Sequence, residues 1–251
     1  MATRVTLFLL WLIFAITVAE SCRRHKNKSA GTASLLLFNG TGVSPNDVDA
    51  IEKILDSLHI NYMTANSAEL NAMNLSELKS YRLLVLPGGN FIEMGNSIEK
   101  NTAYRIKQAV VQGLNYFGIC AGGFLAGGSS YYNSLNLTSG LSFGFFAAEK
   151  QGIRKAALPI TGPNGKTLTQ YWEDGPQFSG WGQTVARYPD GSPAVAEGRF
   201  GKGFVLLSGI HAEAPASWRK DMVFNTPVST DNAYACTLIR AALQGIPLPR
   251  Y

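Results

Sequence analysis

Histidine and cysteine are both scarce, with three of each among 251 residues. Cys22, Cys120 and Cys236 make an odd count in unlike contexts, which excludes a disulfide framework. No Cys-x-x-Cys and no histidine pair at helical spacing occurs, so no metal cluster is expected. The glycine-rich patterns that cradle phosphates are missing as well, so no nucleotide cofactor is expected. There is no internal repeat and no low-complexity tract. Charged residues make up only 16% of the chain against 46% hydrophobic ones, a balance that excludes disorder. The net charge of +5 owes much to one cluster, Arg23, Arg24, Lys26 and Lys28. Elsewhere the signs are mixed, so no nucleic-acid partner is expected.

An apolar run from Val5 to Ala19 follows Arg4. It is shorter than the roughly 20 residues of a comfortable membrane span. Small residues follow, with Thr17-x-Ala19 or Ala19-x-Ser21 as cleavage sites, the pattern of a secretory signal. Residues 1–21 are expected to be a signal peptide or an N-terminal anchor, and residues 22–33 a basic and polar spacer. Cys22, directly after Ser21, raises a lipoprotein alternative. The expected location is export to a periplasm or the exterior, with membrane attachment only through this N-terminal segment. A free thiol in an exported protein suggests one kept for chemistry. Cys236 lies in a helical pattern and is expected to be a small buried apolar residue.

Residues 34–251 are expected to form one α/β domain. Ser34–Asn39, Arg82–Leu86, Leu114–Ile119 and Gly203–Ser208 read as buried parallel strands. Ser44-Pro45-Asn46-Asp47 opens a helix: Ser44 caps, Pro45 suits the first helical position, and Asp47 puts a negative charge at the positive end of the dipole. A weaker helix is expected over 69–79, another over 101–112, and a last one over 231–244. Strand and helix alternate through residue 125, which predicts a mostly parallel sheet with helices on both faces. Short segments at 142–148, 156–160, 167–171, 182–188 and 194–197, separated by turns, predict an antiparallel β extension of the same domain.

A nucleophilic cysteine needs exposure, a base, a group that orients the base, and oxyanion donors. Gly118-Ile119-Cys120-Ala121-Gly122-Gly123 has the small neighbours of a sharp strand-to-helix turn, with Cys120 at its apex. Of the three histidines, His25 lies in the spacer and His59 suits the end of the first helix, where it meets the dipole. His211 follows a predicted core strand, on the side of an α/β sheet where sites form. Glu213 stands two residues on and points the same way in extended backbone, able to orient the imidazole. The backbone of Ala121, and of Gly88 or Gly89 after another parallel strand, would supply oxyanion donors. Asn90 and Gly122 are the expected substrate contacts.

Leu83-Leu84-Val85-Leu86-Pro87-Gly88-Gly89, Phe117 to Gly123, and Gly209-Ile210-His211-Ala212-Glu213 together resemble the class I glutamine-amidotransferase-like superfamily. Within it the chain is most similar to the N-terminal domain of fungal-type biotin–protein ligases, which Asn39 to Pro45 also matches. The resemblance spans about residues 34–245. It implies a flavodoxin-like fold and a Cys-His-Glu triad at Cys120, His211 and Glu213. It does not imply biotin ligation, because no region remains for a ligase catalytic domain. Glutamine amidotransferases usually carry Gly-His-Gln or Gly-Met-Gln after the nucleophile, where this chain has Gly122-Gly123-Phe124. The usual Pro between His and Glu is Ala212.

The leading expectation is therefore a cysteine-dependent hydrolase or amidotransferase-like enzyme acting on an amide or ester bond of a small-molecule or peptide-like substrate, with no cofactor. The alternative is a non-catalytic ligand- or partner-binding module on the same fold. A third reading, a redox or chaperone-like relative, would use Cys120 without needing Glu213. Oligomeric state is left open.

Overall fold

Short apolar runs build the centre of the sheet. In the computed structural model, which describes residues 33–251 except 148, β1 (Leu35–Phe38) and β3 (Leu83–Leu86) are buried along their whole length. Strands covered on both faces show such continuous runs rather than alternation. With β2 (Tyr62–Ala65), β4 (Asn115–Ile119) and β9 (Gly203–Ser208) they form a parallel half ordered β2-β1-β3-β4-β9. The sheet continues antiparallel through β8 (Pro193–Phe200), β7 (Gln183–Arg187), β5 (Lys155–Thr161) and β6 (Thr167–Glu173), nine strands in all. The fold is α/β and flavodoxin-like, with the antiparallel extension joined edge to edge.

Successive residues of a strand face opposite sides. Leu35 and Leu37 accordingly pack with helix α1 (Pro45–Ser57) and helix α7 (Val228–Gln244), whereas Leu36 and Phe38 join the opposite core with α5 (Lys100–Val111). The start of α1 follows from its sequence: Ser44 Oγ accepts from Asp47 N–H at 3.4 Å, and Pro45 takes the first turn. The weak helix expected over 69–79 is two short ones, α2 (Ser67–Ala72) and α3 (Leu75–Leu78). Asn74 divides them, because it forms its own capping box with Glu77 just as Asn66 does with Glu69. Helix α4 (Phe91–Ser97) was not expected. Helix α6 (Ala121–Ala126) follows the cysteine.

No strand forms over 142–147, where only Phe145 makes an isolated bridge, to Pro176. The aromatic residues there part company: Phe143 packs on Phe178, Phe145 on Phe124, and Phe146 on Tyr188. A strand would send 143 and 145 to one face. The last antiparallel strand bends back to the parallel half, where the Tyr171 carbonyl accepts from His211 N–H at 2.9 Å. The extension thus walls the end of β9. The expectations on the leader, Cys22 and His25 fall outside the described residues. Among those described, no helix is long and apolar enough to cross a membrane.

Candidate functional site

Strands β1, β3, β4 and β9 deliver their following segments to one end of the sheet, the end where parallel α/β sheets place ligands. Cys120 comes directly after β4, with φ 49° and ψ −105°. That is a sparsely populated conformation for a residue with a side chain, and such strain persists only where the surroundings enforce it. The enforcement is visible. Cys120 N–H donates to the Ser208 carbonyl of β9 at 2.7 Å, and the Cys120 carbonyl accepts from Gly123 and Phe124 N–H at 2.8 and 3.2 Å. The thiol itself donates to the Glu173 carbonyl at 3.4 Å.

Gly122 shows why the turn needs glycine. A Cβ there would collide with the Leu86 carbonyl oxygen of β3. Its N–H donates to Pro87 O at 3.1 Å, and its carbonyl accepts from Tyr116 Oη at 2.6 Å. Both polar groups are committed to packing, and Gly122 does not line the cleft, contrary to its expected role as a substrate contact. Asn90 does line it, but its Oδ1 caps α4, accepting from Ile92 and Glu93 N–H at 3.1 and 3.2 Å. Only its amide nitrogen is left for a ligand. Gly89 and Ala121 both line the cleft; Gly88 does not.

His211 is 5% exposed, with Nδ1 hydrogen-bonded to Glu213 Oε1 at 2.8 Å. The spacing expected from extended backbone thus brings this pair together. A second carboxylate was missed from the sequence: Asp47 Oδ1 stands 3.1 Å from the same nitrogen. One N–H cannot point at both. It points at Glu213, so Asp47 Oδ1 faces the ring as a charge and is buried without a hydrogen-bond partner. Burial disfavours the charged ring, but Asp47, Glu213 and Cys120 together outweigh it and hold the His211 pKa well above 6.5. Burial also works against the Asp47 carboxylate, yet His211, Ser44 and the Gly88 backbone keep its pKa below the ordinary 3.8. Glu213, fully buried, goes the other way: burial raises it despite His211. Tyr171 and Trp218 meet the imidazole at 5.9 and 5.7 Å between ring centres and restrict its rotation.

Gly88 makes this arrangement possible. A Cβ there would collide with Asp47 Oδ1 and lie 2.7 Å from His211 Cε1. Its expected role as an oxyanion donor gives way to one of close approach. Asp47, His211 and Glu213 also form a group of metal-ligating type, with ligand atoms within 4.8 Å of one another, which residue spacing did not foretell. The Nδ1–Glu213 separation of 2.8 Å is that of a hydrogen-bonded pair.

Cys120 and His211 open on one cleft of about 470 Å³. Phe91, Phe124 and Phe145 line one part of it, and Arg154, Glu173 and Asp174 another. The arrangement has a thiol on strained backbone, a buried imidazole with its Nδ1 occupied, and the backbone N–H of Ala121 at the start of α6, where the first helical donor lacks an intrahelical partner. Those are the parts of nucleophilic acyl chemistry.

Residues 33–153 match the family described as biotin-protein ligase, N terminal. That stretch holds Asp47, Gly88 and Cys120 and stops before His211. An uncharacterized protein of Chlamydia muridarum is 30% identical over 159 residues, 53% of this chain and 60% of its own length. The matched part therefore spans less than two thirds of that relative. A glutamine amidotransferase from Thermotoga maritima has a similar structure, with a TM-score of 0.53 at 14% identity, covering 86% of this chain and 98% of its own. The chain has an amidotransferase-like fold and, over that first stretch, is similar to the biotin-protein ligase N-terminal family.

Proposed function

We propose that this protein is a cysteine-dependent acyl-transfer enzyme that hydrolyses an amide or ester bond. The observation that carries the reading is His211 Nδ1 held by Glu213 and Asp47 at a cleft that also contains the strained Cys120. With Nδ1 occupied, Nε2 is the nitrogen left for proton transfer.

The Cys120 proton passes to His211 Nε2 and the sulfur attacks the substrate carbonyl carbon. The oxyanion is held by the N–H groups of Ala121 and Gly89. The tetrahedral intermediate collapses, the bond to the leaving nitrogen or oxygen breaks, and His211 protonates that atom. Water then gives a proton to His211 and adds to the thioester; the C–S bond breaks, the acid product is released, and His211 returns the proton to the Cys120 sulfur. Glu213 and Asp47 do not touch the substrate. They position His211 and stabilise its charged form.

The departure at Gly123-Phe124 supports an acyl donor other than glutamine. Export through the N-terminal segment belongs to the same proposal, and fractionation of cells with and without residues 1–21 tests it. The acyl-transfer reading is tested with a thiol-reactive acyl probe on protein in which Cys22 and Cys236 are replaced. Labelling is expected at Cys120 and lost in Cys120→Ala; equal labelling of that variant would sink the reading. One observation favours the alternative, a binding module: Cys120 is only 6% exposed, and its S–H is engaged by the Glu173 carbonyl. Under that reading the thiol resists the probe in the intact protein and labels only after denaturation.

A further inference from the structure

Three phenylalanines from three segments meet beside the nucleophile. Phe91 opens α4, Phe124 stands one turn beyond Cys120 in α6, and Phe145 comes from the loop that follows. Phe91 and Phe124 stack at 4.5 Å between centroids, and Phe145 meets them edge-on at 6.0 and 5.0 Å. All three line the cleft. Aromatic groups gathered in this way offer a fourth ring both offset stacking and edge contacts.

Glu173 and Asp174 at the end of β6 also line the cleft. Asp174 is neutralised by Arg154 at 2.7 Å, and Arg154 also approaches Glu149 at 3.5 Å. Glu173 differs. Its Oε2 accepts from Tyr171 Oη at 2.5 Å, and among the described residues it makes no ion pair, although Lys155 stands opposite it in the β5–β6 register. Its backbone carbonyl receives the Cys120 thiol, so the residue carrying this charge sits directly beside the sulfur.

We infer that the acyl group accepted by Cys120 carries an aromatic or large apolar side chain together with a protonated amine next to the reacting carbonyl. The substrate class is an ester or amide of a hydrophobic α-amino acid with its amino group free. The ammonium pairs with Glu173 while the side chain enters the phenylalanine wall. An acyl group with a carboxylate at that place would meet Glu173 with like charge. The inference deepens the acyl-transfer reading and rests on it for the chemistry, though not for the binding preference.

Binding to the Cys120→Ala protein, measured by calorimetry, separates the two. Three probes suffice: phenylalaninamide, N-acetylphenylalaninamide without the ammonium, and alaninamide without the ring. Phenylalaninamide is expected to bind about tenfold or more tightly than either, the effect of one charge-assisted contact or one buried ring. Glu173→Gln keeps an acceptor for Tyr171 and is expected to abolish the preference for the free amine. Phe145→Ala is expected to abolish the preference for the ring. Equal binding of the three probes, no binding of any, or preferences that survive both substitutions would overturn the inference. Wild-type protein offered phenylalanine methyl ester reads the chemistry. If the binding preferences hold and no turnover occurs, the acyl-transfer reading fails and the recognition stands.

Discussion

Asp47, in the first turn of α1, places Oδ1 3.1 Å from Nδ1 of His211, which lies beyond the far end of the parallel half of the sheet. The imidazole therefore faces two carboxylates at Nδ1 rather than one, and both favour its charged form. Replacing Asp47 with Asn removes a charge but little volume. The His211 pKa is expected to fall by about one unit or more, the usual effect of losing a close opposite charge. The alkaline limb of the pH profile for Cys120 labelling should move down with it. Imidazole resonances followed by NMR provide the independent check, and an unchanged titration would remove Asp47 from the mechanism.

The same cluster makes stability depend on pH. His211 has a raised pKa in the folded state, so its contribution is complete below 6.5 and disappears as pH rises through the folded value. Asp47 has a lowered pKa, so its contribution is present above 3.8 and disappears as pH falls through the folded value. Glu213 is raised by burial and opposes part of this near neutrality. His211→Gln leaves two buried carboxylates without their cation, an expected cost of about 3–5 kcal/mol near neutral pH. Adding Asp47→Asn should recover part of that loss. Urea midpoints across pH 4–9 measure it, and a loss that does not shrink in acid would contradict the account.

Gly88→Ala tests the close approach. Its Cβ would press on Asp47 Oδ1 and His211 Cε1, so the two side chains must separate. Cys120 labelling should drop by roughly tenfold or more, a misplacement effect on catalytic geometry. Gly144→Ala, with nothing within 4 Å of the new Cβ, serves as the control and should label as wild type. Equal rates in both variants would show that Gly88 is not needed for the site.

A chelator separates proton from metal at the Asp47–His211–Glu213 group. Labelling and urea midpoints are expected to be the same with and without EDTA. A loss restored by a divalent cation would instead assign the group to metal binding.

Much of the parallel half was legible because its signals are local. Leu35–Phe38 and Leu83–Leu86 are uninterrupted apolar runs, and Ser44-Pro45 marks the start of α1 in two residues. His211 and Glu213 were legible as a pair because two residues of extended backbone place them together. Asp47 was read only as a charge suited to a helix N-terminus. Its second role depends on strands that are distant in sequence being adjacent in space, and no local pattern carries that. The phenylalanine wall was hidden for the same reason, since Phe91, Phe124 and Phe145 belong to three separate segments. The stretch expected as a strand over 142–148 is largely apolar, but the rings of Phe143, Phe145 and Phe146 serve different clusters.

β4 and β9 are hydrogen-bonded neighbours, with Ile119 opposite Ser208 in the register, and Cys120 N–H still ties to that same Ser208. The segments that carry the thiol and the imidazole consequently start from adjacent strands, about 4.8 Å apart. That strand pairing does not loosen by degrees. Warming should leave labelling competence intact until the central strands exchange their amide hydrogens, and then abolish it in the same transition.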